Sequence, residues 1–120
     1  MWGGAAADIL YGGGGNDLMV GGAGADALYG EAGNDILIDG NIALKSRTDT
    51  LDKVLATWNS LPAPTTTIYS NITARITPTF DKSVRDRLAG GAGTDWFWSA
   101  TAGAVADVLD LAAGERRRLV

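Results

Sequence analysis

The 120-residue chain contains no cysteine and no histidine. That removes thiolate and imidazole ligands, and with them most zinc, copper and iron–sulfur chemistry. Nucleophile systems that need a histidine base go too, and no catalytic constellation is left, so the reading is non-enzymatic. Lack of cysteine fits an extracellular bacterial protein without fixing the compartment. No apolar run approaches the ~18 residues of a membrane helix, so no membrane span is expected. The opening MWGGAAAD lacks the basic and apolar regions of a secretory signal peptide, so export would need another route or a larger parent protein. Positive charge is also scarce: the net charge is -4, which gives nucleic acid or an anionic membrane nothing to steer toward. The one basic run, Arg116 to Arg118, is short and reads as a solvated tail. With only 3 prolines and 46% hydrophobic residues, wholesale disorder is excluded and one modest core is expected.

Glycine is abundant, with 17 residues concentrated before residue 41 and between 90 and 103. Written in nines from Gly3, the first third of the chain aligns as GGAAADILY, GGGGNDLMV, GGAGADALY and GEAGNDILI. Asp8, Asp17, Asp26 and Asp35 recur at the sixth place, and Leu10, Met19, Leu28 and Leu37 at the eighth. A flexible linker holds no such register. A further copy, GGAGTDWFW, stands at 90–98. No GxGxxG spacing, Gly-Lys pair or EF-hand loop accompanies the glycines, which leaves dinucleotide and P-loop readings unsupported.

The tandem GGxGxDxUx units resemble the RTX nonapeptide repeats of calcium-binding β-rolls, over residues 3–38 and again at 90–98, with Ala6 and Glu31 departing at glycine positions. The resemblance implies a mainly β fold, a right-handed parallel β-roll, in a module that folds on binding several Ca2+ ions outside a bacterial cell. It implies a secreted or surface protein, with these residues as part of a larger secreted parent.

Elementary geometry agrees with that expectation. GGxGxD forms a turn in which glycines adopt angles closed to other residues, and xUx forms a short strand with its middle side chain inward. Two repeats complete one coil, so turns eighteen residues apart stack. Calcium takes six to eight oxygens at roughly 2.3–2.6 Å, and two stacked turns offer two aspartates plus main-chain carbonyls. The expected metal ligands are Asp8 with Asp26, Asp17 with Asp35, and the carbonyls of Gly4, Gly13, Gly15, Gly22, Gly24, Gly33, Gly91 and Gly93. Aspartates that merely bond their own turns are the alternative, which an interval held four times argues against.

After Asp39-Gly40, which starts a fifth repeat, the register breaks. Counting back from GGAGTDWFW gives DKSVRDRLA at 81–89, the second half of repeat five, with Asp86 at the sixth place. Asp86 should then lie above Asp26, and Asp95 above Asp35. Arg85 and Arg87 oppose a cation at Asp86. Farther on, Asp107, Leu109 and Asp110 resemble the segment that ends such rolls, and one of the two aspartates is expected to close a final site.

The expected organisation is a single domain: a roll over 3–40 and 83–111, an insertion over 41–82, and a tail over 112–120. The insertion is read as α+β. TDTLDKVLATWNS carries one apolar helical stripe through Leu51, Val54, Leu55 and Trp58, while TTTIYS and ITARITPTF read as paired strands. Strand alternation puts Leu18, Val20, Ile36, Ile38, Trp96 and Trp98 on one outer face, too apolar to stay bare. The insertion is expected to cover it. The competing expectation leaves Trp96 and Trp98 exposed as a platform for a glycan or partner protein.

Overall fold

The computed structural model describes residues 1–44, 56, 58, 72, 74, 76–79, 85–99, 108–109 and 116–119. Among them are eleven strands: β1 (Trp2–Gly4), β2 (Ile9–Gly14), β3 (Leu18–Gly22), β4 (Ala27–Ala32), β5 (Ile36–Ile38), β6 (Asn41–Leu44), β7 (Ile76–Thr79), β8 (Arg87–Ala92), β9 (Trp96–Ser99), β10 (Val108–Leu109) and β11 (Arg116–Leu119). The described residues are mostly β-strand. Odd-numbered and even-numbered repeats separate into two sheets, ordered β10-β8-β4-β2 and β1-β3-β5-β9-β11. Every neighbour in these two sheets is parallel.

Their register follows from the repeat length. Leu10 pairs with Leu28, and Met19 with Leu37, one coil of two repeats apart. Across the interruption Leu28 pairs with Leu88, and Leu37 with Phe97. The inserted segment therefore leaves and re-enters the stack without shifting it. Val108 pairs with Arg87, three residues later than strict register would place it.

Residues at the eighth position point between the two sheets. Met19, Leu28, Leu37, Leu88 and Phe97 are buried there as one cluster, with Leu10 packed against it. Removing each of these side chains from water stabilises the fold by roughly 1.5–3 kcal/mol. The outer positions differ between the sheets. LMV, ILI and WFW are apolar throughout, the pattern of strands buried on both faces, whereas ALY and RLA bury only the middle residue and ILY only half-buries it.

The apolar outer face is covered. Leu18, Val20, Ile36, Ile38, Trp96 and Trp98 form a second buried cluster with Ile42, Trp58, Ile72 and Ile76 from the segment that interrupts the repeats. The Trp58 and Trp96 rings stack with centroids 6.0 Å apart, and Trp96 meets Trp98 edge-on at 4.7 Å. The expectation of an exposed aromatic platform is thereby corrected: Trp96 is 4% exposed and Trp98 fully buried, because leaving so large an apolar patch in water costs more than folding the chain over it.

Two strand expectations also change. Ile76–Thr79 pairs antiparallel with Asn41–Leu44, and Ile72, at the start of ITARITPTF, is helical. TTTIYS lies outside the described residues, as does the expected helix except Ala56 and Trp58, both helical. Arg116–Leu119, expected as a solvated tail, is an edge strand on β9. Edge strands are where a sheet accommodates charged residues.

Candidate calcium-binding turns

Each repeat turn is shaped by where its backbone bends. Among the described residues the glycines with positive φ are Gly4, Gly13, Gly15, Gly22, Gly24, Gly33, Gly91 and Gly93, at the second and fourth repeat positions. These are the eight whose carbonyls were expected to face a cation. Glu31 occupies a second position and keeps the same bend, with φ 78°. Ala6, at a fourth position, does not adopt it, so the first turn is shaped differently there.

The first-position glycines serve the carboxylates. A Cβ on Gly3 would lie 2.7 Å from Asp8 Oδ2, and one on Gly12 2.8 Å from Asp17 Oδ2. Gly21, Gly30 and Gly90 stand in the same relation to Asp26, Asp35 and Asp95. Carbonyls of the coil above close the other side: Gly21 O sits 2.6 Å from the Gly3 Cβ position and Gly90 O 2.6 Å from that of Gly30. Only glycine leaves room for both oxygens.

The aspartates form two columns. The Asp8 N–H donates to Asp26 Oδ1 at 2.9 Å, and the Asp26 N–H donates to Asp86 Oδ1 at 2.6 Å. In the other column the Asp17 N–H donates to Asp35 Oδ1 and the Asp35 N–H to Asp95 Oδ1, both at 2.7 Å. The counted register thus puts Asp86 on Asp26 and Asp95 on Asp35. Arg85 and Arg87 beside Asp86 are exposed, while Asp86 itself is fully buried. Asp107 and Asp110 lie outside the described residues.

The ladder uses one carboxylate oxygen of Asp26, Asp35, Asp86 and Asp95, and the Oδ2 atoms test whether a cation fits. The Oδ2 atoms of Asp8, Asp17 and Asp35 are buried and accept no hydrogen bond. A buried carboxylate oxygen without a donor is costly, and nearby positive charge relieves it. Burial accordingly pushes Asp35 up to about 6, with the Asp17 backbone hydrogen bond pulling down and the Asp17 charge pushing further up. Burial also raises Asp17, against the pull of the N-terminal ammonium. An all-oxygen environment in a chain without histidine or cysteine suits a hard cation. Among the described residues no three acidic side chains converge as a metal-binding group, so a cation there would need oxygens beyond the aspartates, from turn carbonyls or water. The residues fit calcium: the stacked aspartate pairs would hold it with turn carbonyls, and it would supply the missing charge.

A family model for the RTX calcium-binding nonapeptide repeat, in four copies, matches residues 2–37 and 85–109, just over half of the chain. The chain belongs to the RTX calcium-binding repeat family. Its repeats are calcium-binding repeats, and the family is a structural one and not an enzymatic one. No curated protein and no solved structure matches the chain.

Two further features shape these RTX turns, the first of them not anticipated from the sequence. In one column the Asn34 N–H donates to Asn16 Oδ1 and the Thr94 N–H to Asn34 Oδ1, each at 2.7 Å. This second ladder runs beside the aspartates and has no counterpart at Ala7 and Ala25; its signal was asparagine at the fifth place of repeats two and four. Asp39 is the other. Its carbonyl lies 2.7 Å from the Gly21 Cβ position and its side chain is fully buried, so Asp39-Gly40 does begin a turn over repeat three.

Proposed function

We propose that this chain is a non-enzymatic RTX module that folds, or is locked, when Ca2+ outside the cell fills its aspartate columns. The observation that carries this reading is the set of buried, undonated Oδ2 atoms of Asp8, Asp17 and Asp35, repeated coil after coil above glycines that only make room for them. Without a cation, stacked carboxylates repel and the glycine turns lose much conformational freedom on ordering. With sites of roughly 10⁻⁴–10⁻³ M dissociation constant, tenfold excess calcium adds about 1.4 kcal/mol per site. Several sites decide the fate of a small domain.

The aspartates of both columns, Asp8, Asp26 and Asp86, and Asp17, Asp35 and Asp95, hold the ions with carbonyls of the eight positive-φ glycines. The strands wind as a right-handed roll over 3–40 and 83–111. Segment 41–82 serves as its cover, and the module acts as a folding cap or surface domain of a secreted bacterial protein. Circular dichroism in calcium, in magnesium and in chelator tests it. A β signal gained cooperatively with calcium alone is the expected result, and an identical spectrum in all three would overturn the reading.

A further inference from the structure

Asn34 stands where the coils meet their cover. Its N–H donates to Asn16 Oδ1 on the coil below, and its own Oδ1 accepts the Thr94 N–H from the coil above. Its main-chain carbonyl is engaged from outside the roll, by the indole N–H of Trp58 in the covering segment. Trp58 is fully buried, a setting in which an indole N–H needs an acceptor. The acceptor it has found is one atom of a metal-binding turn. The Asn34 carbonyl and the Asp35 N–H belong to one peptide unit, and that N–H donates to Asp95 Oδ1 at 2.7 Å. The Trp58 ring also stacks on Trp96, whose own N–H donates to the Asp35 carbonyl at 2.8 Å. The backbone on either side of Asp35 is therefore held by the tryptophan pair. The other column is built differently. There the Asp26 N–H donates to Asp86 Oδ1, but the residue before it, Ala25, is exposed, and among the described residues no side chain donates to its carbonyl.

We propose that Trp58 is a positioning residue for the column of Asp17, Asp35 and Asp95, so that cation binding there and docking of the cover are coupled. The inference rests on the calcium reading above and adds to it a link between one column and the cover. A peptide unit is planar and stiff, so a donor held on its oxygen fixes the direction of its N–H. Trp58 holds the Asn34 oxygen, the Asp35 N–H points at Asp95, and the Asp95 carboxylate is oriented before an ion arrives. A carbonyl that accepts a hydrogen bond also polarises the N–H across the same unit, which strengthens its bond to a carboxylate. The coupling is reciprocal: what the docked cover adds to ion affinity, the ion adds to docking of the cover. Ions held by Asp8, Asp26 and Asp86 gain nothing from this indole. The two columns therefore have separate tasks, one tying coils to each other and the other also fastening the cover to the coils.

Calorimetric calcium titration of paired variants tests the coupling. In the Asp26→Asn protein the remaining binding belongs to the column of Asp17, Asp35 and Asp95. Adding Trp58→Phe keeps a ring against Trp96, removes the donor, and should weaken that binding about three- to tenfold. In the Asp35→Asn protein the remaining binding belongs to the other column, and the same addition should change it by about twofold or less. A merely structural role for Trp58 would weaken both backgrounds alike, since the columns share one core. Exchange of the Trp58 indole proton, followed by NMR, needs no change at Trp58 and serves where Trp58→Phe does not fold. Calcium should slow it in the wild type and in Asp26→Asn, and leave it unchanged in Asp35→Asn. Equal weakening in both backgrounds, weakening in neither, or an indole proton that responds to calcium equally in both aspartate variants would overturn the coupling and leave the calcium reading standing. A wild-type protein that takes up no calcium would overturn both.

Discussion

The two sheets of this molecule share a repeat, a register and a core, yet one is buried on both faces and the other is half bare. β3, β5 and β9 carry Leu18, Val20, Ile36, Ile38, Trp96 and Trp98 outward beneath the covering residues. β2 carries outward Ile9 and Tyr11, which are 65% and 59% exposed, with Tyr11 stacked at 5.1 Å on Tyr29 of β4. The GGxGxD frame is common to both, so the seventh and ninth residues decide which face needs a cover. A nonapeptide thus encodes two separable instructions. GGxGxD and the eighth residue build the coil, and the flanking pair settles whether the coil needs a cover.

The sharpest way to break the comparison is at the outer tryptophans. Trp98→Ala should cost about 3–5 kcal/mol in urea unfolding, since it empties a fully buried site between sheet and cover. A cost below about 1 kcal/mol would show that the cover does not hold that sheet. Next come the turns, where glycines of the two kinds separate. Gly30→Ala should cost about 1–3 kcal/mol, because its Cβ collides with Asp35 Oδ2 and lies 2.6 Å from Gly90 O. Gly14→Ala, with nothing within 4 Å and no positive φ, should be neutral or slightly stabilising.

A smaller effect distinguishes the columns. Asn34→Ala removes the acceptor of the Thr94 N–H and should cost about 1–2 kcal/mol, whereas the other column holds alanine at the same place and loses nothing. The pH dependence of the calcium-free protein follows from Asp35. Its folded value, about 6, lies above the ordinary 3.8, so the native state binds more protons between those values and stability falls as pH rises through that window. Urea midpoints in chelator from pH 4 to 7 should decline, and calcium should flatten or reverse the trend. The smallest effect belongs to the bare sheet: Tyr11→Ala should change stability by about 1 kcal/mol or less.

Much of this architecture was legible because an interval of nine is a geometric statement. It fixed the coil, the inward leucines and the stacking of Asp86 on Asp26 across the interruption. The cover was legible as a need, from the apolar runs LMV, ILI and WFW, though not as a structure. What filled it depended on contacts with no periodic signature: Trp58 against Trp96, and Ile76–Thr79 against Asn41–Leu44. Arg116–Leu119 misled because charge density was weighed above backbone pairing, and an edge strand tolerates both. The asparagine ladder was visible only once the coils had been stacked, since Asn16 and Asn34 are two residues among many until they meet.

The most direct test of the calcium columns is calorimetric titration of Ca2+ into the protein, compared with Asp35→Asn and Asp26→Asn. Each substitution keeps an Oδ1 acceptor and removes the charge. Heat-releasing binding of several ions, weakened in both variants and absent with magnesium, is the predicted result. A folded wild-type protein that takes up no calcium, or binds it equally well in both variants, would contradict the assignment of these carboxylates to the metal.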